Sequence, residues 1–201
     1  MTKVDTVNAL EALYTRAPSP ASLDKVAGQI TPEYAQWLTA SRFCVLTTVG
    51  PDGTDGSPRG DDGAVVRIVD DTTLWMPDWR GNNRLDSLRN IVSDGRISCM
   101  FMVPGSNNVI RVNGKAHLTA DPAVTQTFEQ GGKHPTTVIV IHVGEVYSQC
   151  SRAILRSRIW DGEPAPDLPT MGQILKAQTA GAVDADGYDK DQVARAKKTM
   201  W

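Results

Sequence analysis

The pattern of apolar and polar positions changes near residue 43. Residues 1–42 have a helical pattern, within which Thr31 and Pro32 form a good N-cap and first-turn pair. Beyond them, short runs of β-branched and apolar residues alternate with turn-forming residues, which is typical of strands. We predict six strands, over residues 43–49, 64–69, 72–76, 96–103, 109–118 and 136–147.

Two short helices interrupt the predicted strands. The first runs from Asn82 or Asn83 to residue 93, because apolar residues recur there at helical spacing. The second starts at the capping pair Asp121 and Pro122 and ends at the glycine pair 131–132. Six strands joined mostly by hairpins favour a small antiparallel barrel over a parallel sheet.

The pattern becomes helical again near the C-terminus. Residues 151–160 are predicted as a helix, residues 161–169 as a proline-rich connector, and residues 170–201 as a helical tail capped by Thr170. The tail has too few apolar residues to bury a core alone. We therefore expect one domain over residues 1–162, with an N-terminal helical extension, and a connector and tail over residues 163–201.

The amino-acid composition argues against nucleic acid and anionic membranes as partners. The 201 residues include 21 Lys and Arg against 23 Asp and Glu, a net charge of -2 that gives no basic surface for nucleic acid or an anionic membrane. The start of the chain lacks the pattern of a signal peptide, and no apolar run approaches the roughly 20 residues that span a bilayer. We expect a cytoplasmic protein without a membrane segment.

Cysteine and histidine usage gives no sign of a metal site. The chain has three cysteines and three histidines without metal-ligand spacing. Cys44 and Cys99 lie inside apolar runs and are predicted to be small buried residues. We predict no bound metal and a reducing environment.

The segment 75–84 is the first candidate for chemistry, because it links a strand to a helix. Arg80 and Arg84 would lie beside the unpaired amides of the helix start, where the helix dipole and planar guanidinium groups favour a phosphate. Asn82 or Asn83 would cap the helix or donate to the same anion. The alternative is an ordinary capped helix with solvated arginines.

The segment 56–61 is the second candidate. Gly56 and Gly60 flank Ser57, Pro58 and Arg59, so a flat ligand could approach the backbone closely. The alternative is a simple hairpin loop.

Both segments match a known family. Residues 57–60, 74–84 and 110–116 resemble, in order and spacing, the pyridoxamine 5′-phosphate oxidase-like, FMN-binding split β-barrel family. Residues 150–160 resemble the C-terminal element of one largely uncharacterised bacterial branch. The resemblance covers roughly residues 30–162. It implies a mainly β, α+β fold: a six-stranded antiparallel Greek-key split β-barrel that dimerises and holds FMN between its subunits.

The resemblance also implies three groups of cofactor contacts. Residues along the isoalloxazine ring and ribityl chain would be Ser57, Pro58, Arg59 and Gly60, with backbone contacts from Met76 and Pro77. Residues around the phosphate would be Arg80, Asn82, Asn83 and Arg84. The partner subunit would bring Arg156 and Trp160 to the flavin.

The expected activity is that of an FMN-dependent oxidoreductase acting between a nicotinamide or small organic molecule and an acceptor such as oxygen. No catalytic residue is assigned, and Asp61 and Cys150 are the first candidates to test. The chain has Asn83-Arg84-Leu85 where the vitamin-forming oxidases have Ser-Arg-Lys, and the tail lacks their Arg and His pair. We therefore expect a substrate other than pyridoxine phosphate.

Two other classes of function stay open. One is a flavin-, F420- or haem-binding sensor or carrier without turnover. The other is an interaction module whose barrel has lost its ligand.

Overall fold

The structure, a computed structural model, describes residues 2–162, 164 and 166–201. Seven strands form one antiparallel sheet in the order β2-β1-β5-β6-β7-β4-β3. The strands are β1 (Phe43–Gly50), β2 (Gly53–Gly60), β3 (Arg67–Asp70), β4 (Thr73–Asp78), β5 (Arg96–Met102), β6 (Val109–Thr119) and β7 (Thr137–Gln149).

The helices lie before, between and after the strands. They are α1 (Val7–Leu13), α2 (Pro20–Asp24), α3 (Pro32–Ala40), α4 (Asp86–Ser93), α5 (Pro122–Thr125), α6 (Arg152–Ser157), α7 (Met171–Gln178), α8 (Ala185–Lys190) and α9 (Gln192–Lys198). Three predicted caps are confirmed, and one of them is Asp121, whose carboxylate accepts from the Ala123 amide of α5. The Thr31 hydroxyl accepts from an amide of α3, and Thr170 forms a capping box with Gln173 at the start of α7.

The prediction of six strands is wrong by one, because β2 lies between the first two predicted strands, where no strand was predicted. Its sequence alternates glycine and polar residues and contains Pro58, so it has no apolar period. β2 lies at an edge of the sheet, where a proline is tolerated because one side of the strand needs no ladder partner. Its eight residues pair with β1, and this pairing forms the strand.

Helix ends also differ from the predictions. The helix predicted from residue 82 or 83 begins at Asp86. The helix starting at Pro122 ends at Thr125 rather than at the glycine pair, and the helix predicted over 151–160 is reduced to α6. Glu163 and Ala165 of the predicted connector lie outside the described residues, so the division at residues 162–163 stays a prediction.

The core forms on one face of the strands and under α3. Buried and outward positions alternate along β1 and β5, so Cys44, Leu46, Cys99 and Phe101 point inward. Leu38 of α3 belongs to the same buried cluster. Residues 138–141 of β7 are buried on both faces of the sheet. The alternation of buried and outward residues is therefore clear in β1 and β5 and lost in this part of β7.

Two of the cysteines are part of this core, as predicted. Cys44 and Cys99 have no exposed surface and no disulfide bond. A hydrogen bond with Cys44, together with burial, raises the pKa of the Cys99 thiol well above its ordinary value. Cys99 therefore stays neutral and packs as a small apolar residue, whereas Cys150 is exposed.

The sheet curls until strands from distant places in its order meet. Arg59 of β2 forms an ion pair with Asp78 of β4, with Nη1 and Oδ1 2.5 Å apart. Just beyond the two strand ends, Trp79 Nε1 donates to Asp61 Oδ2 over 2.7 Å. These contacts close the curled sheet into a barrel-like shell. We call the line where β2 meets β4 the seam, and it is joined by side chains rather than by backbone hydrogen bonds.

None of the helices in the described part of the chain is both long and apolar enough to cross a membrane.

A bulge at Gly144 of β7, opposite Asn113 and Gly114 of β6, gives the first test of the fold. The register between β6 and β7 shifts at Asn113 and Gly114, and a Cβ atom on Gly114 would overlap the His142 carbonyl oxygen. Gly114→Ala should lower the free energy of unfolding by about 1–3 kcal/mol, the usual cost of overpacking. Urea denaturation measures this change.

The matched control is Gly56→Ala in β2, where an added Cβ would meet no atom within 4 Å. An equal loss of stability in both variants would contradict the close approach of β6 and β7 at the bulge.

Candidate functional site

A cleft of about 1540 Å³ opens beside the seam of the curled sheet. Its walls are β2, the loop 79–85 that leads from β4 to α4, the segment 133–137, and Met200 and Trp201 of the tail. Nine of the twelve predicted cofactor contacts line it: Ser57, Pro58, Arg59, Gly60, Pro77, Arg80, Asn82, Asn83 and Arg84. The two candidate segments of the sequence therefore form opposite walls of one cleft.

The two walls are joined at both ends. At one end Asp61 accepts from Trp79, and Gln130 Nε2 donates to the same carboxylate over 2.9 Å. At the other end the hydroxyl of Ser87 in α4 donates to Asp55. Since a strand rises about 3.3 Å per residue, the distance along β2 from Asp55 to Asp61 is roughly 20 Å.

The loop 79–85 has an unusual backbone. Asn83 and Leu85 both have left-handed conformations, with φ of 59° and 60°. Asparagine tolerates this region but a branched apolar residue does so at a cost of about 1–2 kcal/mol. The Asn82 side chain accepts from the Arg84 amide over 3.1 Å, which fixes the turn. Of the two roles left open for Asn82 and Asn83, helix capping is excluded because Leu85 is at the N-cap position, and donation to an anion stays a prediction.

The start of α4 still faces the cleft. The first helical hydrogen bond in this helix is donated by Arg89 to Leu85, so the amides of residues 86–88 have no partner within the helix. All three residues line the cleft. The carboxylate of Asp86 is in the same turn, however, so it partly offsets the positive potential that an anion would use.

The cations of the cleft differ in availability. Arg84 Nε is 2.8 Å from Asp86 Oδ2, and Lys133 Nζ donates to the Trp201 carbonyl over 2.8 Å. Arg59 is committed to Asp78. Arg80 is exposed and has no ion-pair partner among the described residues. Arg80 is therefore the cation most available to an incoming anion.

Unpartnered polar atoms cluster near the cleft. Within the described residues, three buried side-chain polar atoms have no hydrogen-bond partner: Arg59 Nε, Thr137 Oγ1 and Asn113 Oδ1. Arg59 and Thr137 both line the cleft. An unsatisfied buried group costs about 1–3 kcal/mol, so such groups are rare where no further partner exists. A polar ligand in the cleft would supply the missing partners.

Comparison with known proteins identifies the family. The sequence profile described as pyridoxamine 5′-phosphate oxidase matches residues 30–150, which is more than half of the chain. The chain belongs to this family. No curated protein matches the sequence.

The solved structures that resemble this protein have low sequence identity to it. A variant of HupZ from Group A Streptococcus is 19% identical with a TM-score of 0.50, over 60% of this chain and 99% of that protein. An FMN-binding protein from Syntrophomonas wolfei is 13% identical with a TM-score of 0.42, over 58% and 80%. General stress protein 26 from Bacillus anthracis is 17% identical with a TM-score of 0.43, over 57% and 88%. The similarity to HupZ supports the fold alone.

Three residues implied by the family resemblance are not part of the cleft wall. Met76 is fully buried in the core, so only its backbone could serve a ligand. Trp160 Nε1 donates to the Ser106 carbonyl over 2.7 Å, and Arg156 is exposed on α6. A role for Arg156 and Trp160 in the cleft of a partner subunit stays a prediction.

Several residues of the cleft were not predicted from the sequence. No role in the site was predicted for His134, Trp79 or Trp201. In the structure all three line the cleft. His134 Nδ1 is 2.6 Å from the Phe128 carbonyl, which can only accept, so Nδ1 carries the proton and Nε2 is left as an acceptor. The distance of His134 and Trp201 from the motifs in sequence explains why no local signal identified them.

The described residues include no group of three or more His, Cys, Asp or Glu side chains that could hold a metal ion.

The buried ion pair at the seam gives a second test. Asp78→Asn would leave the Arg59 guanidinium, whose side chain is only 17% exposed, without its carboxylate. The free energy of unfolding should fall by about 1–3 kcal/mol, because a largely buried charge loses its partner. Thermal or urea unfolding measures this loss.

Asp62→Asn is the matched control, since Asp62 lines the same cleft but is 81% exposed and 4.0 Å from Arg42. An exposed pair of this kind contributes about 0.2–1 kcal/mol. If Asp78→Asn costs no more than Asp62→Asn, the seam does not depend on the ion pair.

Proposed function

We propose that this protein binds FMN in the cleft, at the interface of a homodimer, and uses it as an oxidoreductase. The observation that carries the proposal is that one cleft combines phosphate donors with apolar walls. Arg80, Arg84 and the free amides of α4 are on the loop side, and Pro58 and Pro77 are among the apolar wall residues. Membership of the pyridoxamine 5′-phosphate oxidase family supports the same ligand.

The phosphate would bind between the loop 79–85 and the first turn of α4. Arg80 has no competing partner among the described residues and would donate directly. Arg84 already donates from Nε to Asp86, but its other guanidinium nitrogens remain for a phosphate oxygen. Asn82 would keep the loop in its turn through Oδ1, which accepts from the Arg84 amide, and its Nδ2 would remain to donate to the phosphate, as would the side chain of Asn83.

The ring would lie along β2 toward Trp79. Pro58 offers an exposed apolar surface, and Arg59 and Thr137 carry the unpartnered polar atoms. When bound, FMN supplies a ring that exchanges hydride or single electrons, while the protein positions it and tunes its electronics. His134 would present Nε2 to the cleft as a proton acceptor, because the Phe128 carbonyl fixes its tautomer.

A second copy of the chain would complete the site. The outer face of β1 and β5 carries an apolar patch in which Phe43 pairs with Met102 and Val45 with Met100. Phe43 and Met100 are 37% and 36% exposed in the single chain. Apolar side chains paired across two strands and open to water are typical of a surface that another subunit covers. Arg156 and Trp160 would then reach the partner's cleft.

The reductant or substrate would be a nicotinamide or another small organic molecule. The cleft end beside Trp79 is closed by Trp201 and Lys133: the Trp201 indole packs edge-to-face against Trp79, and its main-chain carbonyl accepts from Lys133 Nζ. Pyridoxine phosphate is not proposed, because the tail lacks the Arg and His pair that the vitamin-forming oxidases use.

The phosphate site can be tested with two flavins. Arg80→Ala should weaken FMN binding by about 1.5–3 kcal/mol, or roughly 10- to 150-fold, because a charge-assisted hydrogen bond is lost. Riboflavin has no phosphate, so its affinity should be unchanged. Titration calorimetry or flavin fluorescence measures both constants.

Arg89→Ala is the control, since Arg89 is an exposed arginine of α4 outside the cleft lining. Equal losses of FMN and riboflavin affinity in Arg80→Ala would show that the phosphate is bound elsewhere.

The spectrum and mass of the holoprotein test the rest of the proposal. We expect flavin absorbance to sediment with a species of twice the mass of one chain. NAD(P)H should bleach this absorbance without oxygen, and air should restore it. A flavin that neither nicotinamide reduces would favour a sensor or carrier, and a protein that takes up no flavin would refute the proposed function.

A further inference from the structure

The tail is connected to the cleft by its last residues. Helices α7 and α8 pack against each other, with the Gly172 amide and the Thr170 hydroxyl donating to Asp189. Every residue of α9 is exposed. Beyond α9, Met200 and Trp201 line the cleft. The end of the tail therefore crosses open solvent and reaches the candidate cofactor site.

Trp201 closes one end of the cleft by contacts with Trp79 and the 131–133 turn. Its ring centroid is 5.3 Å from that of Trp79, in an edge-to-face arrangement. Its carbonyl accepts from Lys133 Nζ over 2.8 Å, and a Cβ on Gly131 would lie 3.8 Å from its ring. Trp201 is only partly buried.

The two tryptophans are fixed to very different degrees. Trp79 directly follows β4, and its indole donates to Asp61, which Gln130 also binds. Trp201 follows an exposed helix and is fixed by one ring contact and one hydrogen bond from an exposed lysine. If the pair separates, Trp201 moves and Trp79 stays.

We infer that residues 199–201 are a displaceable gate, and that Trp201 covers the part of Trp79 that a planar ring would otherwise contact. The inference rests on the proposed function, since it takes the flavin ring as the ligand that competes with the gate. A ring that packs against Trp79 must first displace an indole of similar size. The gate thus sets how fast such a ring enters and how large a ligand the closed cleft admits.

The inference predicts faster flavin entry when the gate is weakened. Trp201→Ala and Lys133→Met should each raise the FMN association rate constant about 2- to 10-fold, the range expected for one aromatic pair. Stopped-flow fluorescence measures this rate. Lys198→Met is the control, because it removes an exposed lysine of α9 that does not line the cleft and should leave the rate unchanged.

A second measurement follows the gate itself. Brief tryptic cleavage at Lys197 and Lys198 should be slow in the free protein, and FMN or Trp201→Ala should accelerate it severalfold by releasing the segment that follows α9. The gate would be overturned, and the proposed function left intact, if the unaltered protein and the three variants bound FMN at equal rates and flavin did not affect the cleavage. No FMN binding in any of them would overturn the proposed function, and the gate with it.

Discussion

The closure of the sheet through side chains is the constraint on which the rest of the structure depends. β2 and β4 belong to distant places in the strand order, and in the described residues they meet through Arg59 and Asp78 rather than through a backbone ladder. A ladder would bring the two backbones to about 4.8 Å and leave no space between them. Because long side chains span this seam instead, a cleft forms beside it, and the loop 79–85 becomes its second wall.

This closure is not the most stable solution that the fold could adopt. A largely buried ion pair loses hydration that its mutual attraction only partly restores, and Arg59 Nε lacks even a hydrogen-bond partner. The left-handed Leu85 adds backbone strain on the opposite wall. Unsatisfied polar atoms and strained backbone on both sides of one cleft are typical of a binding site whose ligand provides the missing hydrogen bonds.

The sequence predicted those parts of the molecule whose stability is local. β1 and β5 to β7 have apolar patterns, and burial of those side chains stabilises the strands directly. Thr31 caps α3 by accepting a hydrogen bond from an amide three residues further along the chain. β2 could not be predicted in this way, because its glycines and Pro58 form a strand only through pairing with β1. The same division applies to the site. Arg80 and Arg84 are close together in sequence, whereas His134 and Trp201 reach the cleft only through tertiary packing.

The two ends of the cleft therefore differ in how firmly they are built. At the α4 end, Asp55, Ser87 and the Asn82 turn fix the loop through hydrogen bonds within the folded domain. At the other end, the fixed indole of Trp79 faces a tail that a few contacts retain. A cofactor whose charged end binds firmly and whose ring end remains accessible needs this asymmetry, because the phosphate must stay bound while reactants come and go at the ring. The hydrogen bonds around the start of α4 supply the rigid end, and the tail supplies the adjustable one.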